Sequence, residues 1–208
     1  MQRFLGLVSL STMFLSTMAC GGGSDLVVLS LLEPEIEMDG SCLANPGGIS
    51  LARGMLDVQA TNARYAAAVA VGNMAEGDSK NDLIIDEADL SFTADHPELE
   101  SDIEFALATV PIGVTVQADF DHGLWIELIP PQIAAVIANS SALTAATDRA
   151  VVSVTAQLVG RDGRGKSVES LPHTFPVEVC QGCLFCPDGS EPLAWGCSPG
   201  APPTFCQP

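Results

Sequence analysis

Val152-Ser153-Val154-Thr155-Ala156-Gln157-Leu158 sets an apolar residue at every second position, and Arg161-Asp162-Gly163-Arg164 follows it at once. Period two is the side-chain period of a β-strand with one face on a core and the other in water. Asp-Gly between such runs is hairpin chemistry, because glycine supplies the positive φ that tight turns need. Val168 and then Phe175 to Val179 carry the pattern on towards Cys180.

The same reading extends towards the N-terminus. Leu83 to Phe92 places Ala88, Leu90 and Phe92 on one side and Glu87, Asp89 and Ser91 on the other. Ile112, Val114, Val116, Ala118 and Phe120 form one stripe, and Leu124 to Ile129 follow His122-Gly123. Tyr65, Ala67, Val69 and Val71 read as a strand buried on both faces. From Gly54 on, Leu56, Val58 and Ala60 alternate with Asp57, Gln59 and Thr61. Pro130-Pro131 predicts a short helix over Gln132 to Ala138, since proline suits a first helical turn. Glu98 to Leu107 reads two ways: as a short helix after Pro97, or as a strand with Ile103, Phe105 and Leu107 alternating. Several short alternating strands and little helix predict an all-β protein. The expected form is an immunoglobulin-like or fibronectin-like β-sandwich over residues 54–180, with one short helix.

Both ends read differently. Residues 20–53 are expected to be a tether and a mostly irregular segment over Leu26 to Pro46, with Asn45-Pro46-Gly47-Gly48 as a turn. Residues 181–208 are rich in Cys, Pro and Gly and predict a small appendage held by disulfides, too short for a core of its own.

Residues 1–19 have the form of an export signal. Arg3 gives the positive start, and Phe4 to Ala19 is an uncharged, mostly apolar run too short to span a bilayer. Thr17-Met18-Ala19-Cys20 resembles the lipobox of bacterial lipoproteins. The resemblance implies that Cys20 is lipidated and becomes the first residue of the mature chain. Thr17 and Ala19 also fit an ordinary leader cleavage site, which would leave Cys20 as a free thiol. Gly21, rather than Asp, after the cysteine implies the outer membrane in a cell that has one.

The seven cysteines fit the lipidated reading. Acylating Cys20 leaves Cys42, Cys180, Cys183, Cys186, Cys197 and Cys206, an even set for three disulfides outside the cytosol. Cys42 is expected to bridge to Cys180 or Cys183, with the other four pairing in the tail. Cys180-x-x-Cys183-x-x-Cys186-Pro187 also suggests zinc, completed by Cys197 or His173, or a ferredoxin-type cluster whose fourth cysteine is missing. Oxidation competes with both.

The net charge is −18, from 26 acidic and 8 basic residues. Such a surface has no affinity for phosphate backbones, so nucleic acid is not an expected partner. Gly160 to Ser167 matches the P-loop pattern letter for letter. Nucleotide binding there needs a helix starting at the Lys-Ser step to hold the phosphates. Pro172 and Pro176 leave no room for one, so a hairpin turn is expected. Glu76 to Glu104 holds 11 carboxylates against the single Lys80. Asp78 and Asp82 are candidate calcium ligands in a loop, although two solvated strand faces account for most of the charge. Asp119, Asp121 and Glu127 are candidates for acid–base chemistry, but no catalytic motif accompanies them. The resulting expectation is a lipid-anchored envelope protein that binds or builds and is not an enzyme, with no cofactor. Its alternatives are a calcium-stabilised adhesion module and a carboxylate-dependent hydrolase.

Overall fold

The computed structural model describes residues 25–37, 39–145 and 148–206. The leader, Cys20 and the Gly-Ser stretch after it lie outside these residues. In chain order the described residues form β1 (Leu26–Leu32), β2 (Glu35–Ile36), β3 (Cys42–Leu43), β4 (Ser50–Leu51), β5 (Gly54–Asp57), β6 (Tyr65–Asn73) and β7 (Leu83–Ala94). Then come α1 (Pro97–Ile103), β8 (Leu107–Val116), β9 (Phe120–Ile129), α2 (Pro131–Ala138), β10 (Arg149–Asp162), β11 (Ser167–Glu169) and β12 (His173–Cys180).

The protein is all-β in character, as the alternating stripes predict. One sheet has the order β4-β1-β6-β9, and the other runs β5-β12-β10-β7-β8 with β11 beside β10. A single core joins them. Leu31 of β1, Val69 of β6 and Ile126 of β9 meet Leu90 of β7, Val154 of β10 and Val177 of β12 in one buried cluster. Every pairing within the two main sheets is antiparallel except β5 on β12, where Val177 lies beside Gly54 and Cys180 beside Asp57.

β10 shows how directly the alternation becomes burial: Val152, Val154, Ala156 and Leu158 are buried, and their neighbours are partly open. β7 contains one slip of phase. Leu83 and Ile85 are buried, then Ala88, Leu90 and Phe92. Odd positions give way to even ones because a bulge at Asp86 inserts an extra residue against β10; on the other side β8 carries one residue more than β7, near Gly113 with its φ of 71°. The carboxylate that this turns outward pairs with Arg161 at 2.7 Å.

Three expectations change. Leu26–Leu32 is not irregular. It is β1, paired along its length with β6 and contributing Leu26, Leu31 and Leu32 to buried surface. The sheet framework therefore starts at Leu26 and not at Gly54. The run loses its alternation because a bulge at Leu29 shifts the inward positions from Leu26 and Val28 to Leu31, and because the segment after it folds back across the outside of the first sheet at Leu32. There Ala44 and Trp125 cover Leu32, Ala68 and Ala70. The backbone of Ala44 comes so close to Gly123 that any side chain at 123 would overlap its carbonyl. Second, residues 97–103 form a helix, so there are two α-helices among the described residues. Ile103 is buried, but Phe105 and Leu107 are mostly exposed. Third, Phe120 falls outside the core stripe at 62% exposure, because the chain reverses at Asp119 with φ of 62°.

The strand directions give the molecule two distinct ends. β1 begins, β6 finishes and β9 begins at one end, where Leu26 and Phe120 both lie against Asn73. The other end holds the finish of β7, β9 and β12 and the start of β6 and β10. α1 and α2 close that second end, turning Leu99, Ile103, Ile133 and Ile137 into the core. α2 matches the helix expected after Pro130-Pro131.

Candidate functional site

The cysteine-rich tail docks on this second end. Its attachment begins with Asp57, which the alternation of 56–61 assigns to solvent but which is fully buried. β5 stops at Asp57, and the chain turns there. One carboxylate oxygen accepts the amides of Gln59 at 3.0 Å and Gly182 at 2.8 Å, and the other accepts that of Leu184 at 2.8 Å. The buried carboxylate is thus met by three backbone donors, two of which, Gly182 and Leu184, flank Cys183 and hold the start of the tail. Further along, Gly200 accepts the amide of Asp57, Pro199 accepts that of Arg64, and the Ser198 hydroxyl accepts that of Ala66. Ala201 enters the core. Glu191 accepts from Thr61 and from the Trp195 indole, and these bonds hold its carboxyl below the ordinary range.

All six cysteines of the expected set are bridged, as Cys42–Cys197, Cys180–Cys183 and Cys186–Cys206. Cys42 therefore reaches Cys197 and not Cys180 or Cys183. The latter two are three residues apart on a loop held by Asp57 and close on each other, while the flap carrying Cys42 lies nearer the tail's return path. Asp57, Cys180 and Cys183 bring their donor atoms within 4.8 Å of one another. In the oxidised chain the sulfurs are bonded together and the carboxylate is occupied by amides, so the cluster has no donor to offer a metal. The alternative zinc set, Cys180, Cys183 and Cys186 completed by Cys197 or His173, has its cysteines divided among the three bridges.

Between the two sheets, beneath the tail, is a cavity of about 390 Å³. Leu32, Leu51 and Met55 give it apolar walls, and Ala201, Pro202 and Pro203 bring the tail over it. Arg53 and Glu33 stand at its lining. Arg53 is held by Glu178 at 2.9 Å, and Arg149 approaches the same carboxylate at 3.6 Å. Tyr65, the first residue of β6, turns its ring inward and is 6% exposed. Gly54 makes this possible, since a Cβ there would lie 2.3 Å from both the Tyr65 hydroxyl and its ring carbon. Burial pushes the phenol up to about 12, so it stays protonated and is a hydrogen-bond donor at any physiological pH.

The other candidates are dispersed. Asp78 caps the 3₁₀ turn Ser79–Asn81 by accepting the Lys80 amide, and Asp82 accepts the amide of Ala118. Neither joins a group of three metal-ligating side chains among the described residues. Asp121 and Glu127 are six residues apart on β9, roughly 20 Å at strand rise. Paired-carboxylate hydrolysis needs a separation of about 5–9.5 Å. Asp119 occupies the turn before β9. Residues 160–167 form the β10–β11 hairpin, with Val159 opposite Glu169 and Arg161 opposite Ser167. Asp162 closes it by accepting the amides of Arg164 and Lys166, which lower its carboxyl below the ordinary value.

Asp57 and Tyr65 are the two residues of this end that the sequence pattern does not single out. An acidic residue in an alternating run carries the same letter whether it meets water or buried amides. A tyrosine that opens a buried strand looks like any other core aromatic.

No known protein family matches the chain, and no curated protein or solved structure does.

Proposed function

We propose that the protein is an exported lipoprotein, anchored by lipid on Cys20, whose sandwich presents a disulfide-fixed end for binding and performs no catalysis. The observation that supports this reading most is the cysteine accounting. Every cysteine outside the leader except Cys20 is in a disulfide. Such bridges belong to oxidising compartments outside the cytosol. Cys20 is left over where the lipobox-like residues stand. Among the described residues no helix is long and apolar enough to cross a membrane, so the lipid would be the attachment.

The proposed anchor then implies an orientation. Only Gly21, Gly22, Gly23 and Ser24 separate Cys20 from Asp25. At about 3.6 Å per residue, that tether reaches at most roughly 18 Å. The end with Leu26, Asn73 and Phe120 faces the bilayer, and the helices, the tail and the cavity face away. An immunoglobulin- or fibronectin-like scaffold suits such presentation, because a rigid sandwich holds its end loops in place. In a cell with two membranes, Gly21 favours the outer one.

Fractionation of cells expressing wild type and Cys20→Ser tests the reading. Wild type should sediment with membranes and partition into detergent. Cys20→Ser should keep its leader or leave the membrane. Equal release of both proteins into the soluble fraction would refute the anchor.

A further inference from the structure

We propose that the cavity at the sandwich end binds a small, uncharged, mostly apolar molecule through one oxygen that accepts a hydrogen bond from Tyr65. The inference rests on the reading that this end binds a ligand, and extends it to a chemical class.

Three observations carry it. First, about 390 Å³ is within the range of small-molecule sites, roughly 300–1,000 Å³, which are apolar with a few placed polar groups. Second, the Tyr65 hydroxyl is unspent. The residue is 94% buried by its 6% exposure, yet the phenol has no hydrogen-bond partner among the described residues. Its raised pKa has burial as its sole cause, with no bond acting in either direction. The oxygen itself is not sealed off, since the buried side-chain polar atom without a partner among the described residues is His96 Nδ1; the Tyr65 hydroxyl is therefore a reachable donor, and a tyrosine hydroxyl at such a site ordinarily finds a partner. Tyr65 and Gly54, against which its hydroxyl lies, both line the cavity, so an acceptor has room to approach. Third, Gly54 gives up its side chain for this placement.

The ligand's charge follows from the walls. Arg53 is committed to Glu178, and Glu33 adds a negative charge to the lining. The whole chain carries −18, which repels an anion. A protonated phenol is a neutral donor, suited to a ketone, ester or ether oxygen. A cation would leave the donor unsatisfied. An uncharged molecule with one acceptor oxygen is the class that meets both the Tyr65 donor and the apolar walls.

The test uses a pair of probes of one shape, cyclohexyl phenyl ketone and cyclohexylphenylmethane, which differ only in the oxygen. Each displaces the uncharged fluorophore N-phenyl-1-naphthylamine from the oxidised full chain carrying Cys20→Ser, with Tyr65→Phe made alongside. Wild type should prefer the ketone by about 2- to 12-fold, the value of one net hydrogen bond. Tyr65→Phe should bind the hydrocarbon as before and lose the preference. Its unfolding midpoint should equal or exceed that of wild type, because no protein partner is lost. Failure of both probes to bind, an undiminished ketone preference in Tyr65→Phe, or a marked fall in the variant's stability would each overturn the proposal. None of these results depends on membrane attachment, so the site and the anchor fail separately.

Discussion

Removing the Cys42–Cys197 bridge should be the most costly change of cross-link in the molecule. The two cysteines are 155 residues apart in sequence, against 20 for Cys186–Cys206 and 3 for Cys180–Cys183. A cross-link limits the unfolded chain in proportion to the logarithm of the loop it closes. That relation gives about 5 kcal/mol for the long loop, about 3 for the middle one and between 1 and 2 for the shortest. The long bridge also joins the flap over the outer face of the first sheet to the tail over the cavity, so losing it frees two coverings at once. The assay is equilibrium urea unfolding of Cys42→Ser/Cys197→Ser and Cys186→Ser/Cys206→Ser, followed by tryptophan fluorescence. Trp125 packs beside Ala44 under the flap, and Trp195 lies edge-on to Phe185 in the tail. The first variant should have the lower midpoint and the steeper dependence on urea, because its unfolded state is larger. A larger loss in the second variant, or less than about 1 kcal/mol in the first, would mean that the length of the closed loop does not set what each bridge contributes.

Two further outcomes follow from the site. Asp57→Asn should lower stability by about 2–4 kcal/mol, since the new amide group presents a donor to one of the three amides that the carboxylate accepts; urea unfolding of the oxidised protein measures this, and a change within error would mean that Asp57 does not hold the tail. The β10–β11 hairpin should loosen in acid: Asp162 has a lowered folded pKa, so its contribution is complete above the ordinary Asp value near 4 and is lost as pH falls through the folded value. Exchange rates of the Arg164 and Lys166 amides across that range report it, and rates in Asp162→Asn should show no such step.

The parts of the fold that were legible in the sequence are those where one face meets the core and the other meets water. β10 is the clearest, with Val152 to Leu158 alternating cleanly, and α2 follows from its two prolines. β1 was illegible for the opposite reason. A bulge at Leu29 and the covering of Leu32 by the chain's own next segment break the alternation that marks a strand, and an apolar stretch of that length has several readings. The slip at Asp86 left a trace in the exchange of odd for even apolar positions, but one inserted residue is easily taken for noise. The site was less legible than the fold. That all six cysteines pair was predictable from their even number, whereas which ones pair depends on how a flap crosses a sheet. Asp57 and Tyr65 gain their roles from burial alone, and a single sequence does not report which polar groups end up out of water.

Both the anchor and the stapled end rest on the chemistry of the seven sulfur atoms of cysteine, and the mass of the intact protein extracted from membranes reports it in one experiment. The mature chain should start at position 20 and carry added acyl mass. It should take up no alkylating reagent in its native state and six equivalents after reduction. A chain that retains residues 1–19, or one whose cysteines are alkylated without prior reduction, would contradict it.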